Sequence, residues 1–193
     1  MKDSLLLHVC CAPDATVGFE RLKPDWRVVG YFFNPNIHPE EEYSKRLEDF
    51  LRLGSMMDVE TRIGEYCTGD WFEIVRGLEN EPERGKRCEL CYQFRLRNTA
   101  EIAKHEGFDA FATVLTVSPH KDAHKINDFG KALGEEYDIT YLPTDLKKQD
   151  GFKRSVEMSK QFGLYRQNFC GCRFSWHEGT IWRNKFEAPS TKS

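Results

Sequence analysis

No stretch of about 18 consecutive apolar residues occurs in this chain, so it holds no helix able to span a bilayer. Neither common phosphate-cradling loop is present: there is no G-x-G-x-x-G and no G-x-x-x-x-G-K-[ST], which argues against a Rossmann dinucleotide fingerprint and a P-loop nucleotidase. Internal repeats, low-complexity tracts and linkers are missing as well. An excess of either charge is missing too. The net charge is only −3, and as a total it selects no partner. The apolar run Leu5-Leu6-Leu7-His8-Val9 behind Met1-Lys2-Asp3-Ser4 is too short for a secretory signal, and the expected location is the cytoplasm.

What is present fits an ordinary globular protein. The chain has 193 residues, with 39% hydrophobic and 31% charged, enough for one well-buried core and too little for two. One domain over 1–193 is expected, with a tail that frays after about residue 186. Charge is unevenly spread. From Lys147 onward there are ten Lys/Arg against four Asp/Glu, a balance of +6, so the first 146 residues carry −9. A basic C-terminal quarter suits a phosphate backbone, and it equally suits a solvated surface.

Short apolar runs alternate with amphipathic stretches. Strands are expected at residues 5–9, 27–33, 59–63, 108–116 and 139–142, the third of them weak. Helices are expected at 15–22, 39–57, 71–78, 91–106, 121–136 and 151–162, with Gly107 and Gly163 as stops. This alternation predicts an α/β fold: a single-domain, open, mainly parallel five-stranded sheet with helices on both faces. A strand order of 3-2-1-4-5 places the first and fourth strands side by side at the switch point, where such sheets bind ligands.

Seven cysteines cannot all pair internally, and six of them are grouped. In a reducing compartment grouped cysteines are metal ligands or redox catalysts more often than disulfides. Cys10-Cys11 follow the first strand, at its carboxyl end. Cys88-Glu89-Leu90-Cys91 form a C-x-x-C at a helix start, where free N–H groups favour thiolates. Cys170-Gly171-Cys172 form a C-x-C whose glycine frees the backbone to turn both sulfurs inward. Two pairs satisfy a cubane cluster or a tetrahedral zinc, and the third needs its own explanation. A second metal with a carboxylate supplies one, and Asp14 is the nearest candidate. Structural zinc is the bland alternative, although a chain with its own core does not need zinc to fold. A thiol–disulfide enzyme at Cys88 and Cys91 would leave four cysteines unexplained. Tyr92 in place of His excludes haem attachment there. Cys67 stands alone and reads as a buried small side chain.

Other segments cluster near the same end of the predicted sheet. The turn Asn34-Pro35-Asn36-Ile37-His38-Pro39 leaves the second strand, and His120 follows the fourth. Tyr165-Arg166-Gln167-Asn168-Phe169 leads into Cys170 with aromatic, cationic and amide groups that suit a flat, anionic ligand such as a nucleotide.

Five stretches together resemble the cobalamin-independent epoxyqueuosine reductases (QueH). They are residues 8–13, 31–39, 88–95 and 115–121, and the segment from Asp150-Gly151-Phe152 through Cys170-Gly171-Cys172. The resemblance spans nearly the whole chain, with no departure at a cysteine. It implies a PP-loop-like, nucleotide-hydrolase-like α/β fold. It further implies reduction of an epoxide to an alkene on a modified guanine in the tRNA anticodon loop, with a [4Fe–4S] cluster and a mononuclear iron. Removing an epoxide oxygen needs two electrons, two protons and a Lewis acid, which gives six thiols a reason that four lack.

On that basis Cys10, Cys11, Cys88 and Cys91 are assigned to the cluster, and Asp14, Cys170 and Cys172 to the second iron. His120 and Tyr165 are the candidate proton donors. Arg166, Lys153 and Arg154, with the stretch Arg84, Lys86 and Arg87, are the candidate tRNA contacts. The expected partners are tRNA and an electron donor of unknown identity, for a protein acting as a monomer. A sulfur transferase of the same fold would carry a Ser-Gly-Gly-rich loop where Cys10-Cys11-Ala12-Pro13 stands. A zinc module that binds RNA is the remaining alternative.

Overall fold

Leu5, Leu6 and Leu7 have no exposed surface, as an apolar run must when helices cover both faces of its sheet. They lie on β1 (Ser4–His8), the central strand. The computed structural model of the protein describes residues 2–175. In chain order, α1 (Ala12–Leu22) is followed by β2 (Arg27–Phe32), α2 (Glu40–Met56), β3 (Glu60–Ile63), α3 (Thr68–Ile74) and α4 (Lys86–His105). Then come β4 (Ala110–Thr113), α5 (Ala123–Tyr137), β5 (Thr140–Tyr141) and α6 (Gly151–Gln161).

The five strands run in the order β3-β2-β1-β4-β5 and every pairing is parallel, as the alternation predicts. Leu6 pairs with Val29 on one side and Phe111 on the other. On one layer α1 packs on α6 and α2; on the other α4 packs on α5 and α3. Strands β1 and β4 adjoin, and the chain leaves them in opposite directions across the sheet. That opens a crevice at their carboxyl ends. β3, at the sheet edge, is largely exposed, which explains its weak hydrophobic signal.

Element boundaries differ from expectation in three places that matter. β4 stops at Thr113 because the Thr113 hydroxyl accepts from the Leu115 N–H (3.1 Å) and starts a 3-10 turn, Val114–Val117. α1 begins at Ala12, directly after Cys11, so Asp14 lies in its first turn. α4 begins at Lys86, so Cys88 and Cys91 both belong to the helix and not to a preceding loop. The tail expected to fray after about residue 186 lies outside the described residues.

Candidate metal centre

The carboxyl end of β1 delivers Cys10 and Cys11 to the crevice. Cys11 is the N-cap of α1, with extended backbone, and Pro13 fits the helix entry, where no N–H is required. The ligand atoms of Cys10, Cys11 and Asp14 lie within 4.8 Å of one another and all three residues are buried. Among the described residues, no other set of three His, Cys, Asp or Glu side chains is so tightly grouped. Cys10 Sγ stands 3.7 Å from Asp14 Oδ2.

Three acids in one buried space cannot all ionise without compensation. The Cys10 thiol is held well below its usual range, first by the hydrogen bond from Cys11. Burial opposes that shift, and the charges of Lys121, Arg95 and Arg46 reinforce it. Cys11 moves the opposite way, through the same hydrogen bond and then burial. Burial, and next the charge of Cys10, pushes Asp14 up to about 7, with Lys121 and Arg166 opposing.

The other two pairs lie near each other, Cys88, Cys91 and Cys172 all acting on Cys170. At the start of α4, Cys88 Sγ accepts from the Arg84 N–H (3.2 Å), and burial pushes its thiol up to about 11. Cys91 and Cys172 pack in one apolar cluster with Trp71 and Val75. Burial pushes Cys170 up to about 12, against the pull of Lys121 and with Cys172, Cys88 and Cys91 adding to the rise. All seven cysteines are free.

The C-x-C loop is held from below by α2. Arg46, 3% exposed, donates to the carbonyls of Cys170 (3.0 Å) and Phe169 (3.3 Å) and forms an ion pair with Glu42 (2.7 Å). The His38 N–H donates to the Gly171 carbonyl (2.8 Å), tying the loop to the turn after β2. Gly171 has a φ of +111°, a value that side chains rarely adopt. The Tyr165 hydroxyl donates to Glu42 Oε2 (3.1 Å) and the Tyr165 N–H to Asp49 Oδ2 (2.5 Å).

Two cations stand among the sulfurs. Burial alone would lower the Arg95 pKa, yet it is raised, because Cys91, Cys10 and Cys170 outweigh burial. One guanidinium thus feels a sulfur from each of the three pairs. Lys121 is likewise held charged against burial by Cys10, Cys170, Tyr92 and Asp14. Neither cation was assigned a role by sequence reasoning. A helix-face signal existed: Cys88, Cys91 and Arg95 fall at i, i+3 and i+7, so an arginine shares the face that carries the thiols. Glu42 and Arg46 repeat the pattern at i and i+4 on α2.

The side chains are grouped differently from the assignment that the family resemblance suggested. Asp14 was joined with Cys170 and Cys172, but α1 fixes it beside Cys10 and Cys11. Cys170 and Cys172 instead keep company with Cys88 and Cys91. Arg87, expected to meet tRNA, is 1% exposed and donates to the carbonyls of Leu78 (3.2 Å), Glu79 (3.0 Å) and Glu81. It closes the 78–81 turn from inside and cannot reach a phosphate. Arg154 is paired with Glu20 (2.6 Å), which offsets its charge. Lys153 is exposed, and half-buried Arg166 donates to Ser159 Oγ (3.1 Å) within reach of Asp14. His120 is exposed on the turn after the 3-10 segment, 3.1 Å from Arg84 Nη2. Cys67 is half-buried at the N-cap of α3 and packs against the main core.

His8 supports the site from within β1. It has no exposed surface; Nε2 donates to the Phe33 carbonyl (3.2 Å), so Nδ1 accepts from the Thr113 hydroxyl (3.0 Å). Burial, and then the nearby Arg95 charge, hold its pKa well below 6.5, which keeps the ring neutral.

Comparison with known proteins gives a consistent result. The family model described as "Epoxyqueuosine reductase QueH" matches residues 5–178. A protein of that name from Streptococcus pyogenes serotype M1 is 41% identical over 181 residues, covering 91% of this chain and 71% of the relative. One from Haemophilus influenzae is 37% identical over 185 residues, covering 95% and 76%. One from Thermotoga maritima is 36% identical over 175 residues, covering 89% and 90%.

Proposed function

The chain belongs to the epoxyqueuosine reductase QueH family, and from that premise we infer that the thiol-lined crevice is where its epoxide substrate is reduced. The protein is an oxidoreductase of tRNA modification that converts epoxyqueuosine to queuosine, the last step of queuosine biosynthesis. The two epoxide C–O bonds break, an alkene forms and the oxygen leaves as water, which consumes two electrons and two protons.

Family membership implies a metal cofactor, and the donor set fits one. Six free thiols and one carboxylate are on hand as donors, Cys10, Cys11 and Asp14 within 4.8 Å of one another, and Arg95 and Lys121 act as cations on sulfurs of this set. We assign Cys88, Cys91, Cys170 and Cys172 to a [4Fe–4S] cluster, since four thiolates complete a cubane. Cys10, Cys11 and Asp14 are assigned to a neighbouring iron, because three protein ligands leave a position open to substrate. When bound, this cofactor supplies single electrons and a Lewis acid for the departing oxygen. The observation that carries the reading is the 4.8 Å grouping of Cys10, Cys11 and Asp14 at the mouth of the β1–β4 crevice.

The chain's own residues shape the rest. Lys121 holds a full positive charge beside Cys10 and Asp14, where negative charge develops on oxygen. His120, exposed beside Arg84, is placed to deliver a proton or meet a phosphate at the rim. The Tyr165 hydroxyl is committed to Glu42, which favours a positioning role for it over proton donation. Lys153, Arg166, Arg84 and Lys86 are the proposed contacts to the tRNA; Arg154 contributes through what remains of its charge after Glu20. The electrons come from an external donor, and a reducing cytoplasm is where such thiols stay free.

Anaerobic purification with iron, zinc and sulfide counted together tests the reading. The expected protein is brown, with labile sulfide and more iron than a cubane alone requires. Cys170→Ser should bleach it, whereas Asp14→Asn should keep the colour, lose the extra iron and lose turnover. A colourless zinc protein, or the two variants behaving in reverse, rejects the assignment.

A further inference from the structure

Arg95 is absent from the ligand set, yet the set is arranged around it. It projects from α4 four residues after Cys91, and only 2% of it is exposed. A guanidinium does not lose its charge, so burying it is costly unless hydrogen bonds or opposite charge answer it. The acidic groups that act on it are Cys91, Cys10 and Cys170, which would be thiolates as metal ligands.

Its hydrogen bonds fix where that charge sits. Nε donates to the Cys91 carbonyl (3.3 Å) and Nη1 to Asn34 Oδ1 (3.2 Å). Asn34 Nδ2 donates in turn to the Val9 carbonyl (2.8 Å), in the peptide that leads into Cys10. One hydrogen-bonded chain therefore runs from the backbone at Cys10, through Asn34 and Arg95, to the backbone at Cys91. Nη2 is buried with no partner, so part of the guanidinium's donor capacity stays available inside the site.

We propose that Arg95 is a positioning residue that sets the reduction potential of the metal centre. The proposal rests on the cofactor assignment above. An added electron makes the centre more negative, and a fixed cation in a poorly screened interior stabilises that form over the oxidised one. The Asn34 anchor helps hold the charge in place between the backbone at Cys10 and at Cys91.

The test compares anaerobically prepared wild type, Arg95→Gln and Arg95→Lys. Iron and sulfide per chain, the electron paramagnetic resonance spectrum of the reduced centre and its midpoint potential are measured. Arg95→Gln is expected to retain iron while its potential falls by about 59 mV or more, a tenfold change in a one-electron equilibrium. Arg95→Lys, which keeps the charge, should stay within that span of wild type. An Arg95→Gln potential equal to wild type overturns the proposal. If Arg95→Gln binds no iron, Arg95→Lys decides: a loaded centre near the wild-type potential upholds the proposal, and a larger shift or an empty site overturns it. A wild type without redox-active metal rejects the cofactor assignment and this inference together, a result distinct from a loaded wild type whose potential ignores Arg95.

Discussion

Gly171 shows how much one missing side chain does here. At φ +111° a Cβ would stand 2.9 Å from Arg46 Nη1 and 3.1 Å from Ile37 Cγ1, so any side chain both strains the backbone and displaces the clamp on the C-x-C loop. Gly171→Ala should cost about 1–3 kcal/mol and lower the iron bound per chain, read by thermal unfolding and metal analysis. Gly69→Ala, where nothing lies within 4 Å, is the control and should change neither. His8 makes a different prediction. Its native pKa is far below 6.5, so below pH 6.5 the unfolded chain takes up a proton that the native ring refuses. Its contribution is complete above pH 6.5 and lost as the pH falls, by up to about 1.4 kcal/mol per pH unit. Unfolding free energies measured from pH 6.5 down to about pH 5 should fall less steeply for His8→Gln than for wild type; parallel curves would refute this. The cysteine pairs themselves were legible in the sequence, because thiols in C-C, C-x-x-C and C-x-C have few other uses in a reducing cell. The placement of Asp14 was not: α1 starts one residue after Cys11, which sets Asp14 beside Cys10 and Cys11, and no spacing rule reports that.

Among the elements, α2 carries a task its sequence does not announce. It reads as an amphipathic helix, yet Glu42, Arg46 and Asp49 reach from it to hold residues 165–171. Arg46→Ala would leave Glu42 without its cation and two carbonyls without a donor. A loss of about 3 kcal/mol is expected, with faster iron release to a chelator. Unchanged release would show that the loop holds itself. Helices and strands were largely legible because their apolar periods are clean, and the errors fall where side chains compete with the backbone. The fourth strand was read through residue 116; the Thr113 hydroxyl ends it early by capping a 3-10 turn. Arg87 and Arg95 were invisible as interior groups, since arginines within a helix pattern read as solvated charge. Burial supplies partners that a sequence does not display: carbonyls for the first, sulfurs for the second.

For the molecule as a whole, the parallel sheet followed from strand–helix alternation and the handedness of crossovers; the strand order did not follow from them and was a guess that the structure matches. The tRNA surface followed less well, because charge counts ignore pairing. Arg154 is engaged by Glu20 and Arg87 is interior, while Lys153 stays exposed. Binding of a tRNA anticodon stem-loop should weaken steeply with salt. Lys153→Gln should weaken it and flatten the logarithmic slope by about 0.7, the share of one phosphate on a single strand. Arg87→Gln should lower thermal stability with the slope unaltered. Filter binding across a salt series decides between them.

The proposed metal ligands come from both extremes of the described chain, Cys10 near its beginning and Cys172 near its end, with Arg46 and Arg95 between them. During synthesis the last sulfur emerges on the order of ten to thirty seconds after the first, at the usual pace of translation. For that interval the early thiols are exposed to stray zinc, copper and oxidants with no cage to exclude them. On the proposed assignment, metal loading is therefore an event of the finished polypeptide, and the half-made one needs guarding.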